Sequence, residues 1–137
     1  MAAGNPTVID VVAAVLHRNN TFLACRRSVH LTASGQWEFP GGKRNLDETA
    51  VEALQREIAE ELNVRIVVGE SLGKLTHRYT DKTIRLECFL INHWNGEFEL
   101  SDHDRMQWCS LDELAGLNLS AADVPFVDRL RQYFLTV

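Results

Sequence analysis

Five side chains able to do acid–base or metal chemistry recur at fixed intervals in one stretch of this chain: Glu48, Arg56, Glu57, Glu60 and Glu61. On a helix, Glu57, Glu60 and Glu61 stand at i, i+3 and i+4 and project from one patch. Carboxylates held so close repel one another unless a cation lies between them, and hard ions such as Mg²⁺ or Mn²⁺ take oxygen ligands. A cation held there also binds phosphate oxygens, neutralises their charge and acidifies water. A charged helix face taken alone is more often a solvated surface. The Gly41-Gly42 pair and Glu48 upstream of it reverse that balance, because glycines let the backbone approach a ligand closely. Lys43 follows as a candidate phosphate contact, its alternative being a solvated lysine.

From Gly42 the chain runs through five residues to Glu48, through seven more to Arg56, and on as Arg56-Glu57-Ile58-Ala59-Glu60-Glu61-Leu62-Asn63-Val64. This resembles the Nudix box, G-x5-E-x7-R-E-U-x-E-E-x-G-U with U aliphatic, at every position but one. At ordinary residue usage the six matched Gly, Glu and Arg positions coincide by chance on the order of once in ten million starts. The departure is Asn63 in place of glycine, where a left-handed residue is wanted after the helix, and Asn is the next most tolerant type.

The resemblance implies an α/β fold, an α/β/α sandwich with a mixed curved sheet, and metal held by the Gly41 carbonyl with Glu57, Glu60 and Glu61. It also implies that Arg56 orients a glutamate, while the general base stays open among Glu57, Glu60 and Glu48. Trp37-Glu38-Phe39-Pro40-Gly41-Gly42-Lys43 and Arg26-Arg27 are similar to segments of the MutT and CTP-pyrophosphohydrolase branches. By that likeness Arg27 contacts substrate and Phe39 packs against the base, the alternatives being a surface arginine and a core phenylalanine. Leu119-Ser120-Ala121-Ala122-Asp123-Val124-Pro125 resembles the segment that presents a polar side chain to the base edge, with Asp as in the CTP branch. An ionised Asp123 accepts hydrogen bonds and suits the cytosine amino group, whereas a protonated one can also donate to an oxidised purine. Otherwise Asp123 caps its helix with Ser120. Gln107 falls where MutT carries a glutamate near the metals and cannot serve as a base.

The elements that position these groups are legible in the pattern. Thr7 to His17 and Thr21 to Arg27 are β-rich runs around Asn19-Asn20, a hairpin. His30 to Gln36 has no period, and Trp37 to Lys43 is a strand stub entering a Gly-rich loop. Thr49 and Glu52 form a capping box opening a helix over 50–62, with Val51, Leu54, Ile58 and Leu62 as its apolar stripe. Strands are predicted over 64–68, 71–79, 83–94 and 107–109. Ser110 with Glu113 opens a short helix, and a last helix carries Val124, Val127, Leu130 and Phe134.

The length of 137 residues fits one domain over 1–137. A net charge of −5 disfavours a polynucleotide partner, because that affinity rests on Lys and Arg neutralising phosphates. The three cysteines are far apart and predict reduced, buried thiols in a cytoplasmic protein. Val8 to Leu16 is too short to span a bilayer. The expected activity is metal-dependent hydrolysis of a nucleoside triphosphate to a monophosphate and pyrophosphate, on cytidine or oxidised nucleotides such as 8-oxo-dGTP, by a monomer or homodimer. The alternatives are a Nudix hydrolase for ADP-ribose or a dinucleoside polyphosphate, and a non-catalytic nucleotide-binding domain.

Overall fold

The structure, a computed structural model, describes residues 7–29 and 31–135, so His30 of the aperiodic segment lies outside the described residues. Strand β1 (Thr7–Arg18) turns through Asn19 and Asn20 into β2 (Thr21–Arg27). Both asparagines have φ near +55°, at 51° and 60°, the left-handed pair that a two-residue hairpin demands. β1 and β2 pair only beside this turn, at His17↔Phe22 and Arg18↔Thr21. Farther on they splay apart, and the gap is filled by β3 (Trp37–Glu38) on β2 and β4 (Gly41–Lys43) on β1. Pro40 makes the step between them, its carbonyl accepting from the Ala14 N–H at 2.8 Å.

The two glycines expected in a loop are therefore ladder residues, paired with Ala13 and Val12. A Cβ on Gly41 would run into the Val12 carbonyl oxygen, so the strand can approach this closely only as glycine.

β7 (Lys82–Ile91) runs parallel to β1 along its length, β6 (Ser71–Arg78) pairs antiparallel outside β7, and β9 (His103–Cys109) pairs with the free edge of β2. The sheet is mixed. β5 (Arg65–Val67) and β8 (His93–Asn95) form a separate two-stranded ladder, so the run expected over 83–94 breaks after Ile91.

The period of two divides the apolar residues between the two faces of the sheet. Val12, Ala14, Leu16, Phe89 and Ile91 pack with Leu54, Ile58 and Leu62 of α1 (Ala50–Leu62). Ala13, Val15, Leu86, Cys88 and Leu90 pack with Leu114 of α2 (Leu111–Gly116) and Phe126, Val127 and Leu130 of α3 (Val124–Leu135). This is the α/β/α sandwich. Cys25, Cys88 and Cys109 are free and buried within it.

α1 begins at Thr49, whose hydroxyl accepts from the Glu52 N–H while the Glu52 carboxylate accepts from the Thr49 N–H. It ends on Asn63 at φ 62°, ψ 27°, whose N–H closes on the Ala59 carbonyl, as the left-handed position required. The buried stripe is rotated from the expected one. Val51 is 40% exposed, and the inward residues are Ala53, Leu54, Ile58, Leu62 and the carboxylate-bearing Glu61. Val124 at the start of α3 is likewise exposed.

Candidate active site

The acidic face of α1 lies beside β4, and one guanidinium organises it. Arg56 donates from Nε and Nη2 to the two oxygens of Glu48 at 2.7 and 2.9 Å, from Nη1 to Glu57 Oε1 at 2.9 Å, and from Nη2 to the Lys43 carbonyl at 3.2 Å. The fork geometry suits a planar guanidinium with five donors and would not be reproduced by lysine. Glu48 also accepts from the Asn45 N–H, and together with Arg56 this holds its carboxyl down at about 2. Glu60 lies 3.6 Å from Arg56 and stays largely in solvent.

Glu57 projects from α1 against β4. A Cβ on Gly42 would fall on the Glu57 carboxylate, so this glycine makes the room that Glu57 occupies. Glu61, one turn on, is buried at 6% exposure. Burial and then the negative charges of Glu57, Glu38 and Asp102, with a hydrogen bond shared with Glu57, push its carboxyl well above the usual range. Among the described residues, no three His, Cys, Asp or Glu side chains converge closely enough to hold an ion as they stand. The donor chemistry nonetheless fits a hard divalent cation. Mutually repelling carboxylates, one of them buried, meet at a strand that only glycine can form, and the net favourable partner for such a cluster is a cation.

Beside this face opens a cavity of about 500 Å³, lined by Arg27, Phe39, Gly41, Gly42, Lys43 and Asp123 among others. A cavity of similar size elsewhere, at His17, Arg18 and Trp94, contains none of the expected residues. Asp123 is fully enclosed beside Phe39. Its Oδ2 accepts from the Phe39 N–H at 2.9 Å, and burial pushes the carboxyl up to about 7 against the lowering effect of that bond. Ser120 also bonds this side chain, while the Ser120 carbonyl accepts from the N–H groups of Asp123 and Val124. The capping box expected at Ser120 is not formed, because the Ser120 N–H donates to the Trp37 carbonyl and the Asp123 carboxylate turns to the Phe39 N–H, so Asp123 stands in the cavity wall. Phe39 is 3% exposed and belongs to the α3-side core while also lining the cavity. Arg27 bonds the Thr32 carbonyl from Nε and approaches Glu38 at 3.4 Å from Nη1.

β9 corrects one expectation. Gln107 pairs with Ala24, which belongs to the core on the α3 side, so this position faces away from the α1 carboxylates, and a glutamate there would not join them. Two residues at the site carried no individual assignment. Glu38 appeared only as a member of the Trp37–Lys43 segment, and His103 did not appear. Tyr79 and Lys82, from the β6–β7 turn, also line the cavity. The strand periods before and after residues 80–82 mark a hairpin there, but its approach to β1 comes from the parallel β1–β7 pairing.

Comparison with known proteins identifies the family of the chain. Residues 11–129 match a family model described as the NUDIX domain. The chain is similar to the CTP pyrophosphohydrolase of Escherichia coli, 32% identical over 121 residues that cover 88% of this chain and 90% of that protein. It is 38% identical over 91 residues to the 8-oxo-dGTP diphosphatase of Proteus vulgaris, covering 65% of this chain and 80% of that one. Among solved structures, the E. coli ORF135 protein superposes with a TM-score of 0.84 at 31% identity, over 93% of this chain and 91% of its own. A MutT protein from Methanosarcina mazei gives 0.85 at 29% identity, over 96% and 98%.

Proposed function

Because the chain belongs to the Nudix family, we propose that it is a nucleoside triphosphate pyrophosphohydrolase, converting a (d)NTP and water to a (d)NMP and pyrophosphate. The observation that carries this reading is Gly42, which lines the cavity walled by Phe39 and Asp123 and at the same time makes the room that the Glu57 carboxylate of α1 occupies. On this reading a nucleotide places its base in the cavity and its phosphates toward the carboxylates. Water attacks the β-phosphorus, its bond to the bridging oxygen breaks, and the monophosphate leaves.

Glu57, Glu60 and Glu61 with the Gly41 carbonyl would hold Mg²⁺ or Mn²⁺. When bound, such a cation supplies Lewis-acid neutralisation of the polyphosphate charge and acidifies water. Among the residues left open as the base, Glu48 is the least suited. Both of its oxygens are engaged by Arg56, and a carboxyl held at about 2 is a weak proton acceptor at neutral pH. Its part is to fix Arg56, which in turn orients Glu57. Arg27 and Lys43 serve the phosphates, and Phe39 supplies an apolar wall to the base. Asp123, held by Phe39 and Ser120 in the cavity wall, reads the base edge, accepting from a cytosine amino group when ionised and donating to an oxidised purine when protonated.

The described elements pack into two cores on the faces of one mixed sheet, with the β5–β8 ladder joining the α1-side core through Ile66 and Trp94, which supports a single domain. No helix among the described residues is long and apolar enough to cross a membrane, and the net charge supports a small-molecule nucleotide rather than a polynucleotide as the partner. The free, buried cysteines support a place in the cytoplasm, and we propose a monomer or homodimer as its assembly.

The test is pyrophosphate release from CTP, dCTP and 8-oxo-dGTP, with ADP-ribose as comparison, in the presence and absence of Mg²⁺. Turnover of ADP-ribose alone would refute the triphosphate assignment. Glu57→Gln should unfold at a temperature close to that of the unaltered chain and lose several orders of magnitude in rate, since it removes one carboxylate charge and keeps its shape.

A further inference from the structure

The alternation of β9 is interrupted by a bulge. Arg26 pairs with Arg105 and Arg27 with His103, so Asp104 is the extra residue, and the side chain of His103 is turned onto the sheet face that α1 covers. There its imidazole is wholly enclosed, with Nε2 2.9 Å from Glu38 Oε2 and Nδ1 4.0 Å from Glu61 Oε2. An ionised carboxylate only accepts, so Nε2–H donates to Glu38. Nδ1 has no hydrogen-bond partner among the described residues and lies 4.0 Å from Glu61, so it can hold an ionised Glu61 only by closing that gap as an N–H donor, the ring then donating from both nitrogens. A buried polar atom left in this state is uncommon and points to a partner that completes it.

We propose that His103 is a positioning residue of this site: its imidazole, turned under α1 by the bulge, clamps Glu38 on one side and sets Glu61 on the other. Glu38 Oε2 also receives Arg27, so one chain of contacts runs from the cavity wall through Glu38 and His103 to the buried carboxylate of α1. The proposal rests on the reading of Glu61 as a cation ligand. A group that orients a ligand from behind fixes its geometry, and the loss of such partners typically costs 10–100-fold in metal affinity.

The experiment is direct titration of the purified chain with Mn²⁺, followed by calorimetry, alongside thermal unfolding without metal. His103→Ala should unfold cooperatively and bind Mn²⁺ about 10–100-fold more weakly. His103→Gln, whose amide N–H reaches toward Glu38 as Nε2–H does, should recover part of that loss. A folded His103→Ala with unchanged Mn²⁺ affinity would overturn the clamp and leave the metal site standing. No Mn²⁺ binding by the unaltered chain would overturn the metal site, and the clamp with it. A second measurement needs no variant: the imidazole ¹⁵N signals of His103 in the intact protein should move on addition of Mg²⁺, with the midpoint of site loading. Signals that stay in place at saturating Mg²⁺ would equally overturn the proposal.

Discussion

A single methyl group at residue 42 would stand where the Glu57 carboxylate now lies. Gly42→Ala should therefore displace Glu57 while leaving the β1–β4 ladder in place, and displacement of a reacting group by about an ångström costs on the order of 100-fold in rate. Activity falling no more than stability would show that Glu57 has another position available. Asp123 makes a different prediction, through pH. Its folded pKa of about 7 lies above the ordinary 3.8, so between those values the native chain keeps a proton that the unfolded chain releases. Stability must then fall as pH rises through this window and level off above it, by about 4 kcal/mol at most. Asp123→Asn, whose amide oxygen can still accept from Phe39, should lack this fall. Urea unfolding of both chains from pH 4 to 8 measures the difference, and parallel profiles would show that Asp123 is ionised throughout.

Helix α1 carries the carboxylates, and its two ends set its register. The capping box at Thr49 and the left-handed Asn63 each satisfy backbone groups that a helix end leaves orphaned. Asn63→Ala should cost about 1 kcal/mol, the penalty of forcing a β-carbon into this conformation, with the loss of the Asn63 side-chain bond to the Glu97 carbonyl adding to it. Because the cap lies beyond Glu61, the last of the proposed ligands, the rate at saturating Mg²⁺ should change little. A large loss of rate with unchanged unfolding would mean that the C-terminal turn moves Glu61. The stripe of α1 was legible as a helix with a core side, yet Val51 proved exposed and Glu61 inward. Periodicity fixes which residues share a face but leaves the rotation of that face toward the sheet to packing.

At the scale of the molecule, two cores clamp one mixed sheet. The α1 core holds the carboxylates, and the α3 core holds Phe39 and the segment bearing Asp123. Phe126, fully buried in the second core, should cost about 3–5 kcal/mol on substitution by Ala. That is a large share of the 5–15 kcal/mol typical of a domain, and chemical denaturation measures it. Since the segment proposed to face the base leads directly into α3, KM should rise in this variant more than kcat falls. The reverse would mean that the α3 core supports the carboxylates more than the cavity.

What the sequence by itself determined were the features whose cause is local. Glu57 and Glu60 meet Arg56 on α1 as the box spacing places them, the Thr49–Glu52 pair opens that helix, Asn63 closes it, and Asn19-Asn20 turns the first hairpin. Tertiary structure decided what depends on distant partners. Phe39 meets Asp123 across 84 residues and Glu38 meets His103 across 65, and no period in either segment encodes the other. A one-residue bulge reverses the face of His103, and the splaying of β1 and β2 converts an expected glycine loop into a strand. Local propensity specifies which dihedrals a residue prefers and which neighbours share its face. Which faces meet, and hence which charges must be neutralised together, is settled only when the sheet closes its two cores.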